Sequence, residues 1–192
     1  SYQVSFKVKD TTVNVSKLKA TKPKLEAYRF TRKLTILSWK NQTGYNVKIY
    51  RAAKKNGKYK LIKTVKYSKD MPDSWNDEGV SGKKTYYYKI RYSAKKGKKT
   101  YYSKYSKIAA ADTKGIPEIK SLTYDKSKGV KITWTESSFA DVYYVFRMDG
   151  DWFKEVKPGK TTVYDKTAEK GKTYHYEVKA YNNKAQNGKA SQ

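Results

Sequence analysis

The chain offers few side chains of the types that catalyse reactions. It contains a single histidine, His175, and no cysteine. In the alternating run TYHYEV, His175 falls on the outer side beside Glu177, away from any cleft or nucleophile that a general base would need. The lack of cysteine excludes disulfide bonds and thiolate metal sites. We therefore expect no catalytic residues and no enzymatic activity.

A second candidate site is a group of acidic residues in the second half of the chain. Carboxylate oxygens suit Ca²⁺, but the spacing of this group does not match a calcium-binding loop. Nor does any run match a phosphate-binding loop, a dinucleotide fingerprint or a metal-binding helix. Solvated turn residues are the favoured interpretation, so we expect neither a metal ion nor a cofactor. The group consists of Asp141, Asp149, Asp151 and Glu155.

The strongest binding signal is lysine interleaved with aromatic residues in the first half of the chain. Residues 1–112 carry 29 basic and 7 acidic residues, a net charge of +22, whereas residues 113–192 carry only +5. Such a surface can bind an anionic polymer through counterion release and ring stacking. Teichoic acid, an acidic polysaccharide or nucleic acid without sequence preference would fit. The candidate residues are Lys54, Lys55, Lys83, Lys84, Tyr87, Lys89, Arg91 and Trp152.

Other interpretations of the same residues stay open. Tyrosines in strands serve cross-strand packing, and lysines protect sheet edges against unwanted pairing. A high lysine content also follows from an AT-rich genome. Trp152 is the most exposed-looking tryptophan because it begins a strand near a sheet edge, where it either contacts a ligand or caps the sheet.

A sequence unit that occurs twice must position these residues. The run GKKTYYYKIRY at Gly82–Tyr92 returns as GKTYHYEVKAY at Gly171–Tyr181. Because successive side chains of a strand face opposite sides, each run separates into a buried set and an exposed set. The buried sets are predicted to be Tyr86, Tyr88, Ile90 and Tyr92 in the first copy, and Tyr174, Tyr176, Val178 and Ala180 in the second.

The other strands repeat in the same order around this unit. Trp39 and Trp134 stand 95 residues apart, and both are predicted to lie in a core. Seven short strands in each period, without helical periodicity, predict an all-β chain of two tandem β-sandwiches. The strands predicted in the first copy are Leu25–Phe30, Lys33–Trp39, Val47–Arg51, Gly57–Val65, Trp75–Asp77, Tyr86–Tyr92 and a closing strand at Thr100–Ile108.

This pattern divides the chain into three predicted segments. Residues 1–18 predict either a β-hairpin, from the runs at Tyr2–Val8 and Val13–Val15, or the end of a preceding domain followed by a linker. Residues 19–112 form the first predicted domain and residues 113–192 the second, in which the closing strand has barely begun at Gln192. Because residue 1 falls directly into a strand-like pattern, we expect further domains in a longer parent protein.

The order of the repeated motifs resembles that of a known family. Trp is followed by Y/V-x-I/V-Y/F-R, by a turn with G-x-Y/W, by S/T-x-W/Y-x-D and by GK-T-Y-x-Y-x-V/I. Over roughly residues 20–192 this order resembles fibronectin type III domains of secreted and surface proteins from Gram-positive bacteria. The resemblance implies a seven-stranded Greek-key, immunoglobulin-like sandwich with Tyr86 and Tyr174 at the tyrosine corner, where each hydroxyl bonds back to the turn. The chain has no Arg-Gly-Asp tripeptide, so integrin binding is not implied.

The repeated sandwich pattern, the family resemblance and the lack of catalytic residues together predict a non-catalytic extracellular spacer or adhesion module of a bacterial surface or secreted protein. The first alternative is an electrostatic binding module for an anionic polymer, acting through the first domain. The second is a structural subunit that assembles through strand edges, for example by pairing residues 1–18 with the C-terminal sandwich. No membrane insertion is expected, because no long apolar run is present.

Overall fold

A computed structural model describes residues 13–137 and 140–182. Within these residues the chain is almost entirely β, with strands paired antiparallel. The all-β, sandwich-type fold predicted from the sequence is confirmed. The elements are α1 (Val15–Ala20), β1 (Leu25–Thr31), β2 (Leu34–Trp39), β3 (Asn46–Ala52), β4 (Lys60–Val65), β5 (Ser74–Asp77), β6 (Tyr86–Lys96), β7 (Lys99–Tyr102), β8 (Ala109–Ala111), β9 (Ile119–Asp125), β10 (Gly129–Trp134), β11 (Val142–Arg147), β12 (Phe153–Val156), β13 (Thr162–Asp165) and β14 (Tyr176–Tyr181).

The first sandwich packs a three-stranded sheet against a five-stranded sheet. The strand order is β1-β2-β5 in one sheet and β4-β3-β6-β7 in the other, where β8 also pairs with β6. Alternate residues of both sheets enter a single core, as the period of two requires. Leu37 and Trp39 of β2 meet Val47 and Ile49 of β3 there, together with the inner face of β6.

The second sandwich repeats this arrangement around a smaller core. Its sheets have the orders β13-β10-β9 and β12-β11-β14. Ile132 and Trp134 of β10 pack against Tyr143 and Val145 of β11. The prediction that both repeat tryptophans lie in a core is confirmed, since Trp39 and Trp134 are almost completely buried.

The alternation predicted for the repeated unit is also present. Tyr88, Ile90 and Tyr92 of β6 are buried, and Tyr86 packs partly against the same core. In β14, Val178 and Ala180 are buried, and Tyr176 packs partly against the second core.

The strand predicted around Val13–Val15 is wrong for the described residues. Val15 begins helix α1, which Asn14 caps by accepting a hydrogen bond from the backbone N–H of Lys17 at 2.9 Å. Asparagine is a preferred residue at that position because its side chain satisfies a free N–H of the first turn. The helix buries Leu18 in the first core. The run Tyr2–Val8 lies outside the described residues.

The predicted closing strand Thr100–Ile108 is interrupted. The regular ladder with β6 ends at Tyr102 and resumes at Ala109 in β8. Between them the hydroxyls of Ser103 and Ser106 accept hydrogen bonds from the backbone N–H groups of Tyr92 and Ile90, at 2.8 and 3.0 Å. The serine hydroxyls thus take the place of backbone carbonyls of a regular ladder, while the N–H groups of Ser103 and Ser106 still donate to the carbonyls of Tyr92 and Ile90 at 3.0 and 2.8 Å.

The domain boundaries at residues 18 and 112 remain predictions, and the closing strand expected near Gln192 lies outside the described residues. No helix in the described part of the chain has the length and apolarity to cross a membrane.

Candidate functional site: a tyrosine–cation face

The outer side of the five-stranded sheet gathers tyrosine and basic side chains. In β6 the residues that alternate with the buried set are Tyr87, Lys89 and Arg91. They pair with Ala52, Tyr50 and Lys48 of β3, whose side chains therefore lie on the same side. Three of the sequence-predicted binding residues are thus neighbours on one surface.

Lys89 and Arg91 each lie over aromatic rings. The Lys89 ammonium is 4.0 Å from the ring centre of Tyr105 and 4.5 Å from that of Tyr59. The Arg91 guanidinium carbon is 3.9 Å from the ring centre of Tyr102 and 4.8 Å from that of Tyr105. A cation above a ring is attracted by the negative charge density of the ring face.

Hydrogen bonds hold the rings in place. Arg91 Nε donates to the Tyr50 hydroxyl at 3.0 Å, and the Tyr59 hydroxyl donates to the Lys55 carbonyl at 2.8 Å. Burial raises the pKa of Tyr50 against the opposing effect of Arg91, and burial also raises the pKa of Tyr59. Both phenols therefore stay protonated at neutral pH. We call the set Tyr50, Tyr59, Tyr87, Lys89, Arg91, Tyr102 and Tyr105 the tyrosine–cation face.

This face belongs to a sheet without carboxylates. Strands β3, β4, β6, β7 and β8 together contain nine Lys or Arg residues and no Asp or Glu. Within the described part of the chain neither Lys89 nor Arg91 forms an ion pair. Within the described residues Lys89 contacts ring faces, and Arg91 contacts ring faces and the Tyr50 hydroxyl.

The remaining predicted binding residues are distributed differently. The Lys54–Lys55 loop follows β3, and Lys83–Lys84 precede β6, so both lie at the end of the sheet where Ala52 pairs with Tyr87. Lys83 is engaged in an ion pair with Glu118, 3.0 Å away. Trp152 lies in the second sandwich, where its half-buried ring packs on the core with its centre 6.1 Å from that of Tyr176. It is not part of the tyrosine–cation face, since core packing holds its ring in the other sandwich.

Sequence reasoning missed four members of the face. Alternation in β3 places Tyr50 outward once Val47 and Ile49 are placed inward, so this residue was available from the pattern. Tyr102 follows in the same way from the inward Tyr101. Tyr59 and Tyr105 lie in irregular segments, and no periodic signal could have placed them on the face.

A polar network in the first sandwich gives the arginine and aspartate of the repeated motifs a structural purpose. Arg51 of β3 reaches across the core to Asp77 of β5, with Nη1 at 2.8 Å from Oδ2. The Tyr88 hydroxyl donates to the same oxygen at 2.8 Å, and the Gly79 N–H donates to Oδ1 at 2.9 Å. Burial is the main cause that raises the pKa of Tyr88. The network joins the two sheets.

The second sandwich contains the same network. Arg147 Nη1 lies 3.0 Å from Asp165 Oδ2, to which the Tyr176 hydroxyl donates at 2.8 Å. The Thr167 N–H donates to Oδ1 at 2.9 Å. Burial opposes the charged form of Asp165, but the hydrogen bonds from Thr167 and Tyr176 and the charge of Arg147 outweigh it and lower the pKa. Both buried carboxylates therefore join the two sheets of their sandwich.

The two tyrosines assigned to the tyrosine corner make equivalent contacts five residues back along the chain. The Tyr174 hydroxyl accepts a hydrogen bond from the Glu169 N–H at 3.1 Å, and a hydrogen bond with Ser81 lowers the pKa of Tyr86. Each ring also lies beside a network arginine, 5.4 Å from Arg51 for Tyr86 and 4.8 Å from Arg147 for Tyr174. The corner and the network form one cluster in each sandwich.

The other candidate groups do not converge on a site. The His175 side chain is exposed, and Asp149 binds Arg147 with Oδ2 at 2.7 Å from Nε. The described residues contain no cluster of three or more histidine, cysteine or acidic side chains that could hold a metal ion.

The strand order identifies the kind of sandwich. In both copies the first, second and fifth strands form one sheet, and the third and sixth are neighbours in the other. This is the two-sheet Greek-key arrangement expected of such domains. The chain has a fibronectin type III-like fold.

Comparisons with known proteins returned similar structures but no similar family model or curated sequence. A Fn3-like protein from Clostridium thermocellum is 24% identical, with 47% of this chain and 88% of that chain covered and a TM-score of 0.36. The chicken CNTN1 FN1–FN3 domains are 12% identical, with 85% and 62% covered and a TM-score of 0.42. The central fibronectin-III array of RIM-binding protein is 16% identical, with 82% and 57% covered and a TM-score of 0.34. The chain spans less than two thirds of the length of the last two structures.

Proposed function

We propose that the chain is a non-catalytic spacer and adhesion module of an extracellular protein, carried on the surface of a Gram-positive bacterium or secreted by it. The observation that carries this proposal is a set of direct contacts between the two sandwiches. A spacer must transmit position from one end to the other, and contacts across the junction allow the tandem to act as one unit.

The polar part of the junction centres on Glu118, which precedes β9. Its Oε1 lies 2.8 Å from Arg32 Nη2 and 3.0 Å from Lys83 Nζ of the first sandwich. Hydrogen bonds from Lys83 and Arg32 lower the pKa of Glu118, so the carboxylate is charged at neutral pH. These side chains are about half exposed, and salt will weaken their attraction.

The less exposed part of the junction joins β1 to β14. The Tyr28 hydroxyl donates a buried hydrogen bond to the Ala180 carbonyl at 3.0 Å. Beside it the Phe30 ring meets the Tyr181 ring edge to face, with centres 5.2 Å apart. Aromatic pairs of this geometry stabilise by about 1 kcal/mol beyond the area that they bury. Because these contacts are less polar, they should persist at high salt.

The use of the buried charged groups supports a non-catalytic role. Asp77 and Asp165 are occupied by arginine and tyrosine partners that join the sheets, which leaves them unable to accept a substrate proton. The same partners would have to be released before either carboxylate could act as a base.

Distances between two spin labels test the spacer role. The chain contains no cysteine, so Lys58→Cys and Lys126→Cys introduce two unique labelling sites on exposed residues of the two sandwiches. We expect one narrow distance distribution, because the junction holds the two sandwiches in a fixed relative position and orientation. Phe30→Ala combined with Glu118→Gln should broaden it.

A matched control removes an ion pair elsewhere. Glu169→Gln breaks the contact with Lys172 inside the second sandwich, 2.9 Å long, and should leave the distribution narrow. A broad distribution in the labelled chain that carries no junction substitution would contradict the spacer role.

A further inference from the structure

The tyrosine–cation face lies on the outer side of its sheet, where all of its members except the buried Tyr50 are partly or fully exposed. Lys89 and Arg91 lie at its centre, two residues apart on β6, and therefore about 7 Å apart along the strand. Tyr87 precedes them on the same side, and Tyr102 is 36% exposed. The surface is a row of charges and hydroxyl groups on a rigid sheet.

The positive charge of this surface favours an anionic partner. Nine basic residues and no acidic residue in the strands of the sheet create a positive field, and the basic loops at Lys54–Lys55 and Lys95–Lys99 extend it at both ends. An anionic polymer that lies along β6 would displace the counterions of these groups, which favours binding.

The ring contacts indicate which anionic polymer fits. Arg91 lies against Tyr102 and Tyr105, and Lys89 lies against Tyr59 and Tyr105, so cations already occupy a face of each of these rings. Base stacking, on which single-stranded nucleic acids depend, needs open ring faces. The groups that remain available are the hydroxyls of Tyr87 and Tyr102, the Lys89 ammonium and the two terminal nitrogens of Arg91. These match sugar hydroxyls and carboxylates.

We propose that the tyrosine–cation face binds an acidic polysaccharide whose sugars carry carboxylates. The two terminal nitrogens of Arg91 bind a carboxylate, Lys89 contributes a second positive charge, and the hydroxyls of Tyr87 and Tyr102 bind neighbouring sugar hydroxyls. The inference rests on the adhesive part of the proposed function and is independent of the junction.

The second sandwich provides an internal control for this assignment. By strand register Glu177 stands where the first copy has Lys89, and Lys179 stands where it has Arg91. These two residues neutralise each other, with Nζ of Lys179 at 3.3 Å from Oε2 of Glu177. Phe146 replaces Tyr50 and offers no hydroxyl. The equivalent surface therefore has no net charge at these two positions and fewer tyrosine hydroxyls, and it should not bind.

Calorimetric titration of the full chain with polygalacturonate tests the proposal. Lys89→Gln combined with Arg91→Gln should lower the association constant more than about tenfold, since each loses a charge-assisted contact. The charge-matched control Lys120→Gln with Lys126→Gln, on exposed residues of the second sandwich, should change it less than about twofold. Arg91→Lys keeps the charge but loses the fork, and should fall between them.

Further probes separate the possible outcomes. Neutral dextran should not bind, and single-stranded DNA should bind more weakly than polygalacturonate at about 200 mM salt, where purely electrostatic contacts are weakened. Absence of polygalacturonate binding, an equal loss in both double variants, or tighter binding of DNA through the same residues would each overturn the proposal. None of these results would alter the spin-label distances, so the spacer role is tested separately.

Discussion

Asp77 and Asp165 show how single residues of the repeat stabilise each sandwich. Each carboxylate lies almost completely buried on one sheet and binds an arginine and a tyrosine of the opposite sheet. Removing one partner of such a group leaves the others unsatisfied in a medium of low dielectric constant, which is more costly than losing an exposed contact. The arginine and aspartate of the repeated motifs are thus explained by folding.

Substituting the tyrosine of each network should reveal its contribution. Tyr88→Phe removes one hydrogen bond to a buried carboxylate, and we expect the free energy of unfolding to fall by about 2 kcal/mol. Tyr176→Phe should lower it by about 1 kcal/mol, because Tyr176 is only half-buried and water can replace the hydroxyl. Chemical denaturation measures both values. The exposed Tyr124→Phe is the control, and an equally small effect for all three would contradict the structural role of the networks.

Asp165 should also make stability depend on pH. Its pKa is lowered in the folded chain, so the stabilisation is fully present above the unfolded value of about 4 and is lost as the pH falls through the folded pKa. We expect the second sandwich to lose stability below about pH 4, and we expect Asp165→Asn to show a shallower loss. Denaturation followed through amide signals of β10 and β11 at several pH values measures this. Parallel pH profiles for the two chains would contradict it.

At the scale of the elements, the regular strands follow from the sequence and the irregular segments do not. Strands β2, β3, β6, β10 and β11 were predictable because alternate apolar residues fill a core from one side. Helix α1 was missed because six residues are too few for helical periodicity, and its cap at Asn14 was the available signal. The break after Tyr102 was missed because Ser103 and Ser106 satisfy the amides of β6 with side chains, which alternation cannot reveal.

The face was predictable only in part for the same reason. Tyr87, Lys89 and Arg91 follow from alternation in β6. Tyr105 lies in the irregular segment between β7 and β8, and its contact with Lys89 depends on the path of that segment. The pattern therefore predicts the centre of the candidate site and not its border.

Substitutions at two turn glycines test the backbone conformation and packing of these elements. Gly44 and Gly129 have almost the same left-handed φ, 83° and 82°, but a Cβ at Gly129 would collide with the backbone carbonyl of Asp165, whereas the space around Gly44 is open. Gly44→Ala should cost about 1 kcal/mol through backbone strain alone. Gly129→Ala should cost at least about 3 kcal/mol, because the clash adds to the strain. Thermal unfolding measures the difference, and equal losses at the two sites would contradict the packing of β10 against β13.

At the scale of the whole molecule, the two sandwiches have similar cores but different outer surfaces. The five-stranded sheet of the first is basic and rich in tyrosine hydroxyls, whereas the matching surface of the second carries Tyr144, Phe146 and Phe153 beside a Lys–Glu pair. The repeated pattern therefore explains the cores, and the difference between the outward positions is the reason why we propose adhesion for the first copy.

The contacts between the two sandwiches could not be predicted from the repeated sequence pattern. Glu118 lies in the segment between the copies, and its partners Arg32 and Lys83 come from different strand ends of the first sandwich. A repeat pattern describes what two copies share, whereas a contact between them depends on residues that they do not share.

Residual dipolar couplings measure whether the two sandwiches keep one relative orientation. Backbone N–H couplings are measured in a weakly aligned sample and fitted separately for β1 to β8 and for β9 to β14. We predict that one alignment tensor fits both sets, and that Phe30→Ala with Glu118→Gln separates them. Two tensors of clearly different magnitude in the unsubstituted chain would show that the sandwiches move independently, and would rule out a spacer with a fixed junction.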